Sequence, residues 1–149
     1  MKVKFKHMLH GYTGKADDLI YYMDSRTGNI YARRSFKFKN HPGQAPFRIA
    51  QRQIYALQPS EDYKYNLLDY CQSYNELPAG REKPVFTWAQ MYNKLMWALQ
   101  KAMPGTVDLK TITREQINAQ NLPCKSVKAA IEAGLLPEVE GYKRWDKSI

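Results

Sequence analysis

Lys2, Lys4 and Lys6 alternate with Val3 and Phe5, so a strand through them projects three ammonium groups from one face. Lys37 and Lys39 repeat the pattern with Phe36 and Phe38. Arg33 and Arg34 are adjacent, so at most one of them shares a strand face with that second pair. Arg48 and Arg52 are four apart and become neighbours on a helix. The chemistry this arrangement serves is contact with a polyanion, because like charges opposed across a sheet repel unless an anion lies over them. Tyr12, Tyr21, Tyr22 and Tyr31 are interleaved with these cations and offer ring faces on which bases can stack. The structural alternative is that the lysines guard sheet edges and the tyrosines simply pack.

Other chemistries find less support. His7 and His10 are three apart on a stretch that reads as strand, and His41 is remote in sequence, so no metal centre is expected. Gly11 and Gly14 alone do not make a phosphate-cradling loop. Asp17 and Asp18 read as solvated loop acids. Cys71 falls on an apolar helical stripe and reads as a buried structural thiol. Cys124, near a helix start, is a candidate for a lowered thiol pKa, but no histidine follows at a spacing that would make it a base. Trp88 and Trp97 on a Met-rich helix read as core or interface packing. The expectation is a protein without catalytic residues, metal or cofactor.

The positioning elements follow from period and punctuation. Leu19–Met23 and Ile30–Arg34 are β-prone runs around a turn in which Gly28-Asn29 supplies the positive φ of a hairpin. Val3 and Phe5 mark another strand, Gly11 to Gly14 a loop, and Asn40 to Gly43 the end of the β region. The period then lengthens to 3.6. Phe47, Ala50, Ile54 and Leu57 form one helical face closed by Pro59. Ser60 caps a helix with the stripe Tyr63, Leu67, Cys71 and Tyr74. Leu77 to Pro84 reads as a loop. Thr87 with Gln90 is a capping box opening a helix striped by Trp88, Met91, Leu95, Leu99 and Ala102. Thr113 with Gln116 is another, and Ser126 caps a final helix with Val127, Ala130 and Ile131 inward and Gly134 as its stop.

That last pair of short helices suits a helix-turn-helix, although an ordinary helical hairpin uses the same parts. Ser126-Val127 followed by Ile131, Gly134, Leu136 and Pro137 resembles the second-helix signature of excisionase-like and MerR-like winged helix-turn-helix proteins. Gly141-Tyr-Lys-Arg-Trp145 is similar to the wing strand that follows it there. The resemblance covers about the last 40 residues. It implies that Lys125, Ser126, Lys128 and Ala129 face a major groove, with Lys143 and Arg144 on phosphate. The chain departs from the pattern at Gln116-Ile117-Asn118, where those families carry Glu-Ala-Ala, and at Glu138 and Glu140, which put negative charge into the wing. The alternative is that the two helices finish the core. Upstream, Tyr21-Tyr22, Gly28, Tyr31-Ala-Arg-Arg34 and Asn40 faintly resemble small phage- and prophage-encoded proteins.

Strands first and helices after give an α+β expectation: an N-terminal antiparallel sheet of about three strands, then four or five short helices. The expected divisions are 1–58 for the basic sheet segment plus first helix, 59–105 for a helical core, and 106–149 for the helix pair and small wing. The 149 residues carry a formal charge of +9, and eight of those charges fall within residues 1–58. Residues 59–103 are neutral and 104–149 carry +1. A hydrophobic share of 44% argues against disorder, and no apolar run reaches membrane-spanning length. The N-terminus lacks the apolar core of a secretory signal, and two cysteines do not make a disulfide framework, so a reducing, cytoplasmic setting is expected. The expected function is non-enzymatic nucleic-acid binding through the basic sheet, with DNA favoured over other polyanions and no membrane partner. The competing expectation is a phage or prophage virion or assembly protein, in which the aromatic surface makes subunit contacts in a homo-oligomer.

Overall fold

The computed structural model describes residues 2–3, 12–35 and 42–149. The chain is α+β and divides into two compact units, residues 1–40 and 41–149. The first helix therefore belongs with the helical unit, and segments 59–105 and 106–149 contribute to one core.

The first unit is an antiparallel sheet. Its strands are β1 (Lys2–Val3), β2 (Gly14–Ala16), β3 (Leu19–Met23) and β4 (Ile30–Arg34), in spatial order β1-β4-β3-β2. The sequence implied about three strands. The fourth, β2, arises where a loop was expected, because three residues are too few to show a period. The β3–β4 hairpin is the one the sequence indicates, with Tyr22 opposite Tyr31 and Met23 opposite Ile30. Gly28 adopts φ +66° at its turn. Asp24 organises that turn: its carboxylate accepts the Arg26 N–H at 2.9 Å and the Thr27 hydroxyl at 3.1 Å. The Arg26 hydrogen bond is the main reason the Asp24 carboxyl sits below its ordinary pKa.

The second unit packs α1 (Gln44–Ala56), α2 (Glu61–Glu76), α3 (Pro78–Glu82), α4 (Trp88–Ala102), α5 (Arg114–Ala119) and α6 (Val127–Glu132). Six α-helices stand where four or five were expected. The addition is α3, in a stretch that reads as loop because it is short and contains Pro78 and Gly80. The caps are those the sequence implies. Ser60 accepts from Tyr63 N–H, Thr113 and Gln116 form a full capping box, and Ser126 accepts from Ala129 N–H. Thr87 accepts from Gln90 N–H, but the Gln90 side chain turns to Phe86 N–H, so that box is half made.

The core is built on α2 and α4. Tyr63, Leu67, Cys71 and Tyr74 are buried as their stripe requires, joined by Tyr70. On α4 the buried face is wider than expected: Tyr92 and Met96 join Met91, Leu95 and Leu99, while Ala102 is exposed. Phe47 is also exposed, lying parallel to Trp97 with ring centroids 5.6 Å apart instead of entering the core. The C-terminal third closes the core through hydrogen bonds to α2. Tyr63 donates to the Cys124 carbonyl at 2.8 Å, Tyr70 to the Pro137 carbonyl at 2.9 Å, and the buried Trp145 indole to Asp69 at 2.9 Å. The expected wing strand at Gly141–Trp145 is instead a 3-10 turn over Tyr142–Arg144, entered through Gly141 at φ +75°. A strand there would carry the Trp145 ring away from Tyr70, against which it packs edge-on at 5.5 Å.

Gly80 lets α3 fold tightly against the end of α2. A Cβ at this position would run into the Tyr74 carbonyl oxygen and approach Asn75 Cα at 2.7 Å. Gly80→Ala is therefore expected to destabilise the helical unit near the upper end of the about 1–3 kcal/mol that overpacking costs. Urea unfolding followed by circular dichroism measures this, and a loss below about 0.5 kcal/mol would contradict the packing described.

Candidate nucleic-acid interface

Strand register sorts the N-terminal side chains onto two faces. Lys2 pairs with Tyr31 and Tyr31 with Tyr22, while Arg33 pairs with Ile20 and Ile20 with Lys15. Cross-strand partners share a face, and so do residues two apart on one strand. These six side chains therefore lie on one side of the sheet, in two rows: Lys2, Tyr31 and Tyr22, then Arg33, Ile20 and Lys15. The opposite face carries Leu19, Tyr21, Met23, Ile30, Ala32 and Arg34. On the first face Lys2, Lys15, Arg33 and Tyr22 are exposed and Ile20 and Tyr31 half-buried; on the opposite face Ala32 is 2% exposed, Leu19, Tyr21 and Ile30 are half-buried, and Met23 and Arg34 are exposed.

The four expected tyrosines split in the same way. Tyr22 and Tyr31 lie nearly parallel on the basic face, centroids 5.6 Å apart and planes 22° from coplanar. Tyr12 and Tyr21 make an edge-on pair at 5.7 Å, and the Tyr12 hydroxyl donates to the Lys15 carbonyl at 3.2 Å. The first pair shares its face with Lys2, Lys15 and Arg33, and Tyr21 shares its face with Arg34.

Of the expected phosphate contacts, the structure brings Lys2 and Arg33 together and sets Arg34 on the other face. Lys4, Lys6, Lys37 and Lys39 lie outside the described residues. Lys15 completes the basic face and is not among the residues the sequence singles out; it follows the expected Gly11–Gly14 loop. Its signal is the two-residue Asp17-Asp18 turn, which pairs it with Ile20 once β2 is recognised. Arg48 and Arg52 stand exposed on α1, flanking a shallow hollow shared with Ile49, Gln51 and Tyr55.

The C-terminal positions fare differently. Lys125, Ser126, Lys128 and Ala129 are all half-buried. Ser126 is occupied as the cap of α6, the Lys125 carbonyl accepts from Ile149 N–H at 2.9 Å, and Lys128 N–H donates to the Trp145 carbonyl at 2.9 Å. The chain after Trp145 thus runs beside the end of α6 that would have to enter a groove. Lys143 is exposed, and Arg144 forms an ion pair with Asp69 at 2.9 Å. Glu138 and Glu140 are both exposed nearby in sequence.

Among the described residues no group of three or more His, Cys, Asp or Glu side chains is placed to hold a metal ion. His7, His10 and His41 lie outside the described residues. Asp17 and Asp18 form the exposed β2–β3 turn. Cys71 is buried as expected, and burial raises its pKa to about 11. Cys124 departs from expectation. It is fully buried in the core, and burial pushes its pKa up to about 12 where a lowered value was the candidate. Among the described residues, no helix is long and apolar enough to cross a membrane.

Both thiols should therefore resist alkylation by iodoacetamide at pH 8 in the folded protein and react readily in denaturant, because the thiolate is the reactive form. Mass spectrometry of native and unfolded samples reads the difference, and rapid native labelling of Cys124 would contradict its placement. Comparison of the chain with protein-family models, with curated proteins and with solved structures finds no match in any of the three.

Proposed function

We propose that this chain is a non-enzymatic nucleic-acid-binding protein that contacts phosphates through the open face of its N-terminal sheet. The observation that carries this reading is the placement of Lys2, Lys15 and Arg33 on one exposed face around a tyrosine pair. Arginine can hold a phosphate through two parallel hydrogen bonds, while the lysines act as point charges. Concentration of positive charge in residues 1–58 supports the same assignment. Arg48 and Arg52 are a second basic pair, and Lys4, Lys6, Lys37 and Lys39 are further contacts within the proposal. The half-buried positions at the start of α6 and the Arg144–Asp69 pair favour the helix pair as part of the core over a groove reader.

An assembly role in a phage or prophage particle is the second reading. The observation that favours it is apolar exposure on the helical unit, with Phe47 54% and Ile49 52% exposed on α1 and Tyr65 67% exposed on α2. It would show as a concentration-dependent oligomer in light scattering that nuclease leaves unchanged.

Phosphate contact makes the logarithm of affinity fall linearly with the logarithm of salt concentration, by about 0.7 to 0.9 per phosphate neutralised. Fluorescence anisotropy across salt should show that slope. Replacing Lys2, Lys15 and Arg33 together by alanine should reduce its magnitude by about 2 to 3, whereas Lys125→Ala with Lys128→Ala should leave it unchanged. Absence of measurable binding to duplex DNA, single-stranded DNA or RNA at about 50 mM salt would overturn the proposal.

A further inference from the structure

We infer that the basic sheet face takes single-stranded nucleic acid, with unpaired bases stacked on the Tyr22–Tyr31 pair; this rests on the nucleic-acid reading above and names the form of its ligand. In a duplex the flat faces of the bases are covered by their neighbours, so an exposed aromatic face has something to stack on only when the strand is unpaired. Tyr22 is 43% exposed and lies almost parallel to Tyr31, so a base laid on it extends a stack that the protein has already begun. On the far side of Tyr31 from Tyr22 comes Lys2, and one row along come Arg33 and Lys15. Rows are about 7 Å apart along the strands, so cations border the rings within reach of the phosphates of the same strand.

The pairing of Tyr12 with Tyr21 offers a comparison within the same sheet. Those rings meet edge to face, the Tyr12 hydroxyl is spent on a backbone carbonyl, and both belong with the face that contains buried Ala32. Tyr22 and Tyr31 differ in ring arrangement, in face, in the exposure of Tyr22, and in sharing their face with three cations where Tyr21 shares its face with Arg34. Cross-strand aromatic pairs also stabilise sheets, so the test must separate stacking on a ligand from stacking on each other.

The separating probe is an oligonucleotide of abasic sugars, which keeps every phosphate and lacks every base. Anisotropy titrations of the full chain at one low salt concentration would compare thymine DNA, uracil RNA, the abasic strand and a duplex matched for charge. Stacking predicts that both base-bearing single strands bind more tightly than the abasic strand, by roughly 5- to 150-fold for each base stacked. Tyr22→Val with Tyr31→Val, which keeps β-forming side chains, should erase that preference and leave affinity for the abasic strand and the duplex intact. Tyr22→Phe should retain it. Equal affinity of the wild-type chain for the abasic, base-bearing and duplex probes would overturn the stacking inference while leaving phosphate contact standing. No binding to any of the four would overturn both. The wild-type comparison decides the matter even if the double variant does not fold.

Discussion

Helix α2 sets the terms for the helical unit because it buries three tyrosines and still has to satisfy their hydroxyls. Its own carbonyls are committed to the helix, so partners must come from elsewhere in the unit. Tyr63 finds one at the Cys124 carbonyl, in a 3-10 turn before α6, Tyr70 another at the Pro137 carbonyl after it, and the Tyr74 hydroxyl accepts from Lys94 on α4 at 2.7 Å. A buried hydroxyl left without a partner costs about 1–3 kcal/mol, comparable to a sizeable share of a domain's net stability. The turns of the C-terminal third are therefore structural requirements. Asp69 extends the same logic to the outer side of α2, accepting the Trp145 indole and pairing with Arg144.

This requirement separates the two units chemically. In residues 41–149 Tyr63, Tyr70, Tyr74, Tyr92 and Trp145 are taken up by the core while Phe47, Tyr55, Tyr65 and Phe86 stay exposed, and the C-terminal segment is held in place by hydrogen bonds to α2. In the sheet the period of two does the sorting instead, sending Tyr21 to one side and Tyr22 to the other. The stacked pair reaches the surface through Tyr22, while both rings of the edge-on pair are half-buried. The proposed function depends on that split, because a stacking platform and a packed core compete for the same residue type.

Signals that act within four residues were legible in the sequence. Ser60, Thr87, Thr113 and Ser126 cap helices where their spacing implies, and Gly28 and Gly134 take the left-handed conformation at a turn and a helix end. Signals that depend on distant contacts were not. Strand β2 exists because Lys15 pairs with Ile20, and α3 because Gly80 lies against the end of α2. Cys124 lies in the core, where burial raises the thiol pKa that a place near a helix start could have lowered. The 3-10 turn at Tyr142–Arg144 replaces a strand because Trp145 has a buried site to fill. Within the basic face, Lys2 and Arg33 could be named from alternation alone, but Lys15 needed the register.

The basic face also gives dissolved salt two opposing tasks. Arg33 and Lys15 flank Ile20, two strand spacings apart, a separation of about 10 Å and close to the screening length at about 0.1 M salt. Added ions relieve the mutual repulsion of these cations and so favour the empty sheet. The same ions compete for the places a phosphate would take. Stability of the free sheet and affinity for a polyanion are thus tied to one variable with opposite signs, and a gain in either is obtained at the expense of the other.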